Sequence, residues 1–298
     1  MKHVIVTGAN GFIGSSLIKN LIKKNIQVEA LDISFEKSRL PKTNLINEIE
    51  TDLKNIEDVI SKISGNSYDC FYHLAWQGVN GAEKADPNIQ IDNINMVLRC
   101  AKLAKRLGVQ KFLCAGTIAE QAVNSLNGLK YTSGGMMYGS AKHCAHIMLE
   151  TYCKNVGLDF VWMQFSNIYG PKNKTGNLVS YTIDSLKNNK EALFGPAEQM
   201  YDFIYVDDLI SAVVLLGEKE TKHNSYFIGS GMPRILKQYL YEIGEMLGRV
   251  DKIKIGERTD DGIKYTKDMF DISLLVEDIG NYITKEFTEG IKITLEEY

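Results

Sequence analysis

Short apolar, β-branched runs alternate with longer amphipathic segments through the first half of the chain, the pattern that β-α-β units of a parallel sheet produce. The candidate strands are Val4–Thr7, Gln27–Leu31, Leu45–Glu50, Cys70–Leu74, Lys111–Ala115 and Phe160–Phe165. The predicted helices between them are Phe12–Lys24, Asn55–Ile63, Ile89–Leu107 and Ser140–Asn155. Because such crossovers are right-handed, we predict a doubly wound α/β fold whose ligand crevice lies beyond the carboxyl ends of the strands.

The alternation loosens after Pro171, where the pattern predicts a second, smaller α/β lobe with a helix at Leu178–Asn188. Phe203–Val206 and Asp207–Leu216 have the pattern of one more strand and helix of the main sheet. We therefore expect residues 1–165 and about 203–229 to form the sheet domain, and residues 166–202 and about 230–298 to form a discontinuous substrate lobe.

Composition narrows the classes of partner. The chain has 298 residues, and 34 basic against 37 acidic side chains give a net charge of −3, so no global field favours nucleic acid or an anionic membrane. Five scattered cysteines lack zinc-site spacing, so we expect buried, reduced thiols and no metal. With no leader pattern and no apolar run long enough to span a bilayer, a cytoplasmic location is expected.

Three glycines join the first predicted strand to the first predicted helix. Gly8, Gly11 and Gly14 enclose Phe12 and Ile13 in this turn. Glycine permits a tight turn and a close backbone approach to a pyrophosphate, whose charge a helix amino terminus stabilises. Because a strand precedes the motif and an amphipathic helix follows it, we predict a Rossmann-like dinucleotide site; an ordinary strand–helix turn is the alternative.

Asp32 ends the second predicted strand, about 20 residues after Gly11, the spacing of a ribose-binding acid. A carboxylate there would repel a 2′-phosphate, which favours NAD over NADP, although Lys37 or Arg39 nearby keeps NADP possible. The alternative is that Asp32 only caps the end of the strand. Asp52 and Leu53 follow the third strand, where they could meet adenine. Asp52 could equally cap the helix that comes next.

A tyrosine and a lysine four residues apart, Tyr138 and Lys142, follow the fifth predicted strand by one loop. On a helix they share one face, and a neighbouring ammonium lowers the pKa of a phenol toward the range of a general acid or base. Lys142 could also hold ribose hydroxyls. Thr117 is placed to hydrogen-bond the same substrate oxygen as the phenol, or is a simple turn residue.

Together these segments resemble the extended short-chain dehydrogenase/reductase family, whose members modify nucleotide-linked sugars. The resemblance extends over nearly the whole chain. It rests on the glycine turn, Asp32, His73-Leu74-Ala75, Asn93, Thr117, Tyr138 with Lys142, Asn167-Ile168-Tyr169-Gly170-Pro171 and Asp202-Phe203-Ile204-Tyr205-Val206-Asp207-Asp208.

The resemblance implies a set of roles. The cofactor-binding residues would be Gly8, Gly11, Phe12, Ile13, Gly14, Asp32, Asp52, Leu53, Leu74, Ala75, Asn93, Tyr138 and Lys142. Thr117, Tyr138 and Lys142 would form the catalytic triad. Family members commonly dimerise through the helices that correspond to Ile89–Leu107 and Ser140–Asn155, so a homodimer is expected.

Four polar or aromatic positions complete the expected site. Asn167 would face the substrate's phosphates, and Arg258 would contact a phosphate unless it is a solvated surface residue. Asn93 is either a polar support of the site or structural. Trp76, where the family usually has a small residue, either stacks on a sugar or packs in the core.

Departures from the family pattern narrow the reaction. Thr117 is followed by Ile118-Ala119, whereas the family's dehydratases carry Asp-Glu there, so 4,6-dehydration is disfavoured. Tyr201 and Gln164 replace arginines that are common in the family. We expect NAD(P)-dependent oxidoreduction at C4 of a nucleoside-diphosphate sugar. The candidates are 4-epimerisation through a transient 4-keto intermediate, 4-ketoreduction of a 4-keto-6-deoxy sugar, and a non-catalytic NAD(P)-binding regulator.

Overall fold

The fold is built on thirteen strands and nine α-helices, taken from a computed structural model that describes residues 1–63, 67–123, 133–173, 175–259 and 264–297. The strands within these ranges are β1 His3–Thr7, β2 Gln27–Asp32, β3 Ile46–Glu50, β4 Cys70–His73, β5 Lys111–Thr117, β6 Asp159–Phe165, β7 Asn167–Tyr169, β8 Ala192–Leu193, β9 Met200–Tyr201, β10 Phe203–Tyr205, β11 Ser225–Ile228, β12 Arg234–Ile235 and β13 Ile253–Lys254. The helices are α1 Phe12–Lys23, α2 Pro87–Arg106, α3 Ala119–Val123, α4 Gly134–Val156, α5 Leu178–Lys187, α6 Val206–Glu218, α7 Leu236–Met246, α8 Ser273–Ile279 and α9 Phe287–Glu296.

Seven strands form one parallel sheet in the order β11-β6-β5-β4-β1-β2-β3. β1 lies between β2 and β4, so the strand order reverses its direction at β1. A crevice opens at such a switch point, beyond the carboxyl ends of the strands. The prediction of a doubly wound parallel sheet is confirmed.

Alternate residues of β1 enter two different core layers. Val4 and Val6 pack with apolar side chains of α1 and α6, whereas Ile5 packs on the other face with α2 and α4. All three side chains are fully buried. Helices on both faces therefore explain why the central strands are nearly continuous hydrophobic runs.

One predicted strand belongs to another sheet. Phe203–Val206 was expected in the main sheet, but β10 pairs in parallel with β7 in a separate two-stranded sheet. The edge beside β6 is taken by β11 instead, with Ser225 opposite Trp162. The chain leaves the main sheet at Ser166, whose hydroxyl donates to the buried carboxylate of Asp202 at 2.6 Å.

Several boundaries also differ from the prediction. Helix α4 begins at Gly134, well before the predicted start at Ser140, so Tyr138 lies inside the helix. The segment predicted as a helix at Asn55–Ile63 is a 3₁₀ helix over Leu53–Ser61. Strand β5 continues to Thr117, which is its last residue.

The second half of the chain adds three two-stranded sheets, β7/β10, β9/β12 and β8/β13. Aromatic side chains pack around Phe203, which contacts Tyr169, Tyr239 and Phe287 with ring centroids 5.0 to 6.3 Å apart. The division of the chain into a sheet domain and a discontinuous lobe stays a prediction.

Surface and thiol properties add two observations. Within the described ranges, none of the helices combines the length and apolarity needed to cross a bilayer. Cys70, Cys100, Cys114 and Cys153 are buried, but Cys144 is exposed. The expectation of buried thiols is therefore wrong for Cys144, which lies on the outer face of α4.

Candidate active site

The glycine turn after β1 is packed too closely for larger residues. Gly8 has φ +67°, and a Cβ there would lie 2.9 Å from the backbone nitrogen of Ala75. A Cβ on Gly14 would lie 2.1 Å from the carbonyl oxygen of Gly8, and one on Gly11 would lie 3.1 Å from the same oxygen. The turn therefore brings the amino terminus of α1 close to the loop after β4, as a pyrophosphate site requires.

A cleft of about 360 Å³ opens beside this turn, and we call it the cofactor cleft. Its lining includes the predicted residues Gly8, Gly11, Asp32, Asp52, Leu53, Leu74, Ala75, Trp76 and Asn93. Phe12 instead lines a separate cavity on the outer side of α1 with Lys19 and Arg39. Ile13 packs against the core, and Gly14 supports the turn from behind.

Two carboxylates in the cofactor cleft are held by backbone N–H groups. Asp32 accepts from the N–H of Asn10 and of Ile33, both at 2.8 Å, which fixes its carboxylate at the end of β2. Asp52 accepts from the N–H of Lys54 at 2.9 Å and caps the 3₁₀ helix. Asp52 therefore has the capping contact that was its alternative interpretation, while it also lines the cleft.

Thr117, Tyr138 and Lys142 meet where β5 ends. The Tyr138 hydroxyl lies close enough to the Thr117 side chain for this neighbour to lower its pKa. The Lys142 side chain is buried, and its ammonium donates to the carbonyl oxygen of Ala115 at 2.6 Å. Strand β5 and helix α4 thus bring two hydroxyls and an ammonium together at the carboxyl ends of the strands, where the ligand crevice was predicted.

Burial controls the titration of this group. It lowers the pKa of Lys142 to about 8, and Cys114 and Glu120 oppose that change. Burial raises the pKa of the Tyr138 hydroxyl above its usual range, although the nearby Thr117 side chain lowers it. The expectation that the neighbouring ammonium brings the Tyr138 pKa down is therefore wrong for the protein alone, because desolvation by burial is the largest effect and the charge of Glu120 adds to it.

Trp76 faces the catalytic group and also packs on the core. Its ring centroid lies 3.7 Å from the Lys142 ammonium, a cation–π contact, and the ring meets Tyr138 edge-on at 6.1 Å. The indole N–H donates to the amide oxygen of Gln90 at 2.9 Å. Its orientation is thus fixed by α2, with one side against buried apolar residues and the other lining the cofactor cleft.

Asn93 supports the loop after β4. Its amide oxygen accepts from the backbone N–H of Gln77 at 2.9 Å, and its amide nitrogen donates to the carbonyl oxygen of Gln77 at 2.8 Å. Both polar atoms of this side chain are engaged, which favours the structural interpretation of Asn93.

A second cavity of about 300 Å³ lies between β8, β9 and α5, and its lining includes Phe194, Tyr201 and Arg258. The Arg258 guanidinium donates to the hydroxyl of Tyr181 at 2.9 Å. Asn167 lies outside this lining, and its amide oxygen accepts from the Tyr201 hydroxyl at 2.9 Å. The family often has an arginine at the position of Tyr201. Here the Tyr201 hydroxyl occupies the amide oxygen of Asn167, the residue that was expected to face a phosphate.

One buried acid of the site was not predicted. Glu120 in α3 is 1% exposed and accepts the backbone N–H of Thr117 at 2.7 Å. The only sequence signal is an acidic residue three positions after Thr117, in a segment that begins with Ile118-Ala119 and ends with Ala122-Val123. Its side-chain donors Trp162 and Gln164 come from β6, so the sequence alone could not reveal them.

The switch-point cleft and the Thr-Tyr-Lys group define an extended short-chain dehydrogenase/reductase. Residues 4–229 match the model of the NAD dependent epimerase/dehydratase family. The chain belongs to this family of enzymes, and NAD is the cofactor of the family.

Individual relatives agree with this assignment. The chain is 28% identical over 247 residues to the CDP-abequose synthase of Salmonella typhimurium, covering 80% of this chain and 79% of that protein. The UDP-glucose 4-epimerase of Thermotoga maritima, solved with UDP-glucose, has the same fold with a TM-score of 0.83 at 22% identity, over 99% of this chain and 98% of that one. The dTDP-glucose 4,6-dehydratase of Bacillus anthracis, solved with NAD, has a TM-score of 0.81 at 17% identity, over 100% and 96%.

Proposed function

We propose that the protein catalyses NAD-dependent oxidoreduction at C4 of a nucleoside-diphosphate sugar, by 4-epimerisation through a transient 4-keto intermediate. The observation that carries this proposal is the contact between the Thr117 and Tyr138 side chains, with the Lys142 ammonium buried behind them. Two hydroxyls that converge on one point can hold and deprotonate a single sugar hydroxyl.

The cofactor cleft fits a dinucleotide. Gly8 and Gly14 leave no space for a Cβ, which lets the backbone approach a pyrophosphate at the amino terminus of α1. Helix α1 has no side-chain cap there, so its first N–H groups can serve an anion. Asp32 would accept from the adenosine ribose hydroxyls, and its charge favours NAD over NADP.

Each residue of the catalytic group has a defined role in the proposed reaction. NAD, when bound, supplies the acceptor and later the donor of the C4 hydride. Tyr138 takes the proton of the C4 hydroxyl during oxidation and returns a proton when the ketone is reduced. Thr117 donates a hydrogen bond to the same oxygen. Lys142 holds ribose hydroxyls and stabilises the phenolate of Tyr138, so that proton and hydride leave together and atoms and charge balance.

The sugar nucleotide would lie between the cofactor cleft and the second cavity, which contains Arg258. The second cavity offers an exposed arginine, Arg258, beside the aromatic ring of Phe194. An arginine suits a diphosphate, whereas the buried ring of Phe194 only borders this cavity. Ile118 and Ala119 are buried and carry no acid or base, which argues against 4,6-dehydration.

One observation favours 4-ketoreduction as a second candidate. In an epimerase, the 4-keto sugar must rotate inside the site so that hydride returns to the opposite face of C4. The Trp76 indole stands against Lys142 and Tyr138 and narrows the space for that rotation. A ketoreductase needs no such rotation. The intact catalytic group argues against a non-catalytic regulator.

Product analysis separates these reactions. The protein would be incubated with UDP-, dTDP-, CDP- and GDP-hexoses and NAD, and with 4-keto-6-deoxy sugar nucleotides and NADH. For an epimerase we expect the C4 epimer to form without net change in cofactor absorbance. Stoichiometric consumption of NADH with a keto substrate would replace the epimerase by the ketoreductase. No conversion of any sugar nucleotide would overturn the proposal.

Replacing Tyr138 by Phe tests the proton transfer directly. Because the phenol is the proposed acid and base, Tyr138→Phe should lower kcat by about 10²- to 10⁴-fold. NAD binding, measured by calorimetry, should change little because the ring stays in place. Tyr241→Phe, on the exposed face of α7, is the control and should keep full activity. Equal activity of the two variants would remove Tyr138 from the mechanism.

We also propose that the protein forms a homodimer through α2 and α4. Ile91 is 56% exposed on α2, and Ile147 and Met148 are 53% and 43% exposed on α4. Ile94 and Leu98 continue the partly exposed apolar face of α2. The two helices pack against each other, so these exposed apolar side chains lie on neighbouring elements, and apolar surfaces of this kind are often covered by a protein partner.

A further inference from the structure

We propose that Glu120 is a positioning residue of the active site, whose buried carboxylate fixes Thr117 against Tyr138 and places a negative charge behind the catalytic group. The inference rests on the proposed function, since it assigns Thr117, Tyr138 and Lys142 their roles. Glu120 touches none of the expected ligands and acts through its neighbours.

The carboxylate of Glu120 is held from three sides. One oxygen accepts the Thr117 backbone N–H at 2.7 Å, and the other accepts the amide of Gln164 at 3.0 Å. The indole N–H of Trp162 lies 3.1 and 3.0 Å from the two oxygens. A carboxylate that is 1% exposed requires such donors, because an unpaired charge in the protein interior is very costly.

Two glycines show that the surrounding backbone is fitted to this arrangement. A Cβ on Gly116 would lie 2.3 Å from the indole nitrogen of Trp162 and 2.7 Å from the carboxylate of Glu120. A Cβ on Gly139 would lie 2.4 Å from the carbonyl oxygen of Ala119. Helix α3 is therefore in direct contact with β5 and with α4, and a shift of Glu120 is transmitted to Thr117 and to the helix that carries Tyr138.

Gln164 is a neutral partner of the Glu120 carboxylate. The family often has an arginine at this position, but here the neutral amide of Gln164 binds Glu120 and also accepts from Gln121 at 3.1 Å. Since Trp162 and Gln164 are uncharged, these donors hold the carboxylate without neutralising it. Its negative charge therefore acts on the titratable groups around it.

Four titratable groups face Glu120 from the packed elements. Tyr138 and Lys142 lie on α4, and Cys114 lies on β5. His146 of α4 lies 3.6 Å from the carboxylate and stacks on Trp162, with centroids 4.7 Å apart. The other ring nitrogen of His146 lies 3.9 Å from Glu150, at the outer end of the cluster.

The charge of Glu120 acts in one direction on both catalytic groups. Burial dominates each titration, but Glu120 raises the pKa of Tyr138 and of Lys142. It therefore helps to keep Lys142 an ammonium against the burial that lowers its pKa to about 8. Removing the charge while keeping the shape should lower both pKa values.

Three variants separate positioning from general structural support. Glu120→Ala removes the acceptor of the Thr117 N–H, and we expect kcat to fall about 100-fold, the scale of a small misplacement of a reacting group, with the NAD Kd unchanged. Glu120→Gln keeps an oxygen for that N–H, so it should recover most of kcat. Because its charge is gone, both limbs of its pH profile should move to lower pH. Glu150→Gln removes a charge near His146 without touching Thr117 and should match the wild type.

The outcomes distinguish this proposal from the proposed function. Equal losses of kcat in Glu120→Ala and Glu120→Gln, with an unshifted pH profile, would show a merely structural role and overturn the inference. If the wild type converts no sugar nucleotide, NMR titration of labelled lysines still tests it, with Lys142→Met identifying the Lys142 signal. Lys142 should then titrate at lower pH in Glu120→Gln than in the wild type. An unchanged Lys142 titration would overturn the inference independently of any activity.

Discussion

His73, the last residue of β4, is a buried histidine beside the cofactor cleft. Its Nδ1 is hydrogen-bonded to the Thr7 hydroxyl at 2.9 Å, and its buried Nε2 has no hydrogen-bond partner among the described residues. Burial, together with the charge of Lys142, lowers the pKa of His73 from 6.5 to about 3. The native protein therefore keeps this ring neutral where the unfolded chain would protonate it.

Acid should consequently destabilise the protein through His73. As pH falls below 6.5 toward about 3, the unfolded state binds a proton that the native state does not. This group should lower the free energy of unfolding by up to about 1.4 kcal/mol per pH unit. Urea denaturation at several pH values measures the slope. A His73→Asn variant should show a shallower slope, and equal slopes would contradict the assignment.

Single residues differ in how far the sequence reveals them. The glycine turn, Asp32 and the Tyr138/Lys142 pair could be predicted because each depends on spacing within one segment. The placement of Trp76 over Lys142 could not, since the contact joins a loop after β4 to α4 and is fixed by Gln90 of α2. Glu120 was missed for the same reason, because its partners Trp162 and Gln164 lie on a different strand.

At the scale of elements, helix α3 packs closely against α4 at the site. Gly139 lies between Tyr138 and Lys142 and leaves no space for a methyl group beside the carbonyl oxygen of Ala119. Any side chain at this position would push α4 away from α3. Since Thr117 lies just before α3, the catalytic group would separate.

Gly139→Ala should therefore lower kcat by about 100-fold, the scale of a 1 Å misplacement, while the turn that contacts the pyrophosphate stays intact. The NAD Kd and steady-state kinetics would be compared with those of Gly134→Ala. In that control, at the start of the same helix, the new methyl group would meet only Ala85, no closer than 3.1 Å. A Gly139→Ala enzyme with normal kcat would show that α4 can shift without cost.

Most elements of the sheet were predictable, because buried parallel strands are apolar runs that alternate with amphipathic helices. The failure at β10 has a physical origin. The apolar residues 203–205 satisfy a strand pattern whichever sheet they join, and hydrophobic periodicity does not specify the pairing partner. In the fold, the hydrogen bond from Ser166 to Asp202 joins this segment to β7, and β11 occupies the edge beside β6.

At the scale of the whole molecule, the surface on α2 and α4 predicts the oligomeric state. A lysine in place of Ile147 would put a charge at the centre of the proposed interface, so Ile147→Lys should convert a dimer into a monomer. Light scattering after gel filtration measures the mass. Leu274→Lys on α8, which is 49% exposed and far from α2 and α4 in the chain, should stay dimeric. A wild-type monomer at micromolar concentration would refute the dimer.

The net charge of −3 gives the protein no overall attraction for anions, so anionic ligands must be bound by local groups. Anionic ligands are expected at a glycine turn and at Arg258, so local backbone and single side chains, and not the overall field, would bind them. The chemistry of the predicted site could thus be inferred from the sequence. The contacts that set its geometry come from residues far apart in the chain.

The chain contains two tryptophans, and both lie against α4, the helix that carries Tyr138 and Lys142. Trp76 lines the cofactor cleft, and Trp162 is buried against Glu120 and His146. All indole emission of the protein therefore originates beside the residues proposed to perform the reaction. Bound NADH absorbs where indole emits, so energy transfer from these two side chains gives an unlabelled optical signal for ligand titrations, and Trp76→Phe separates the signal of the cleft from that of the interior.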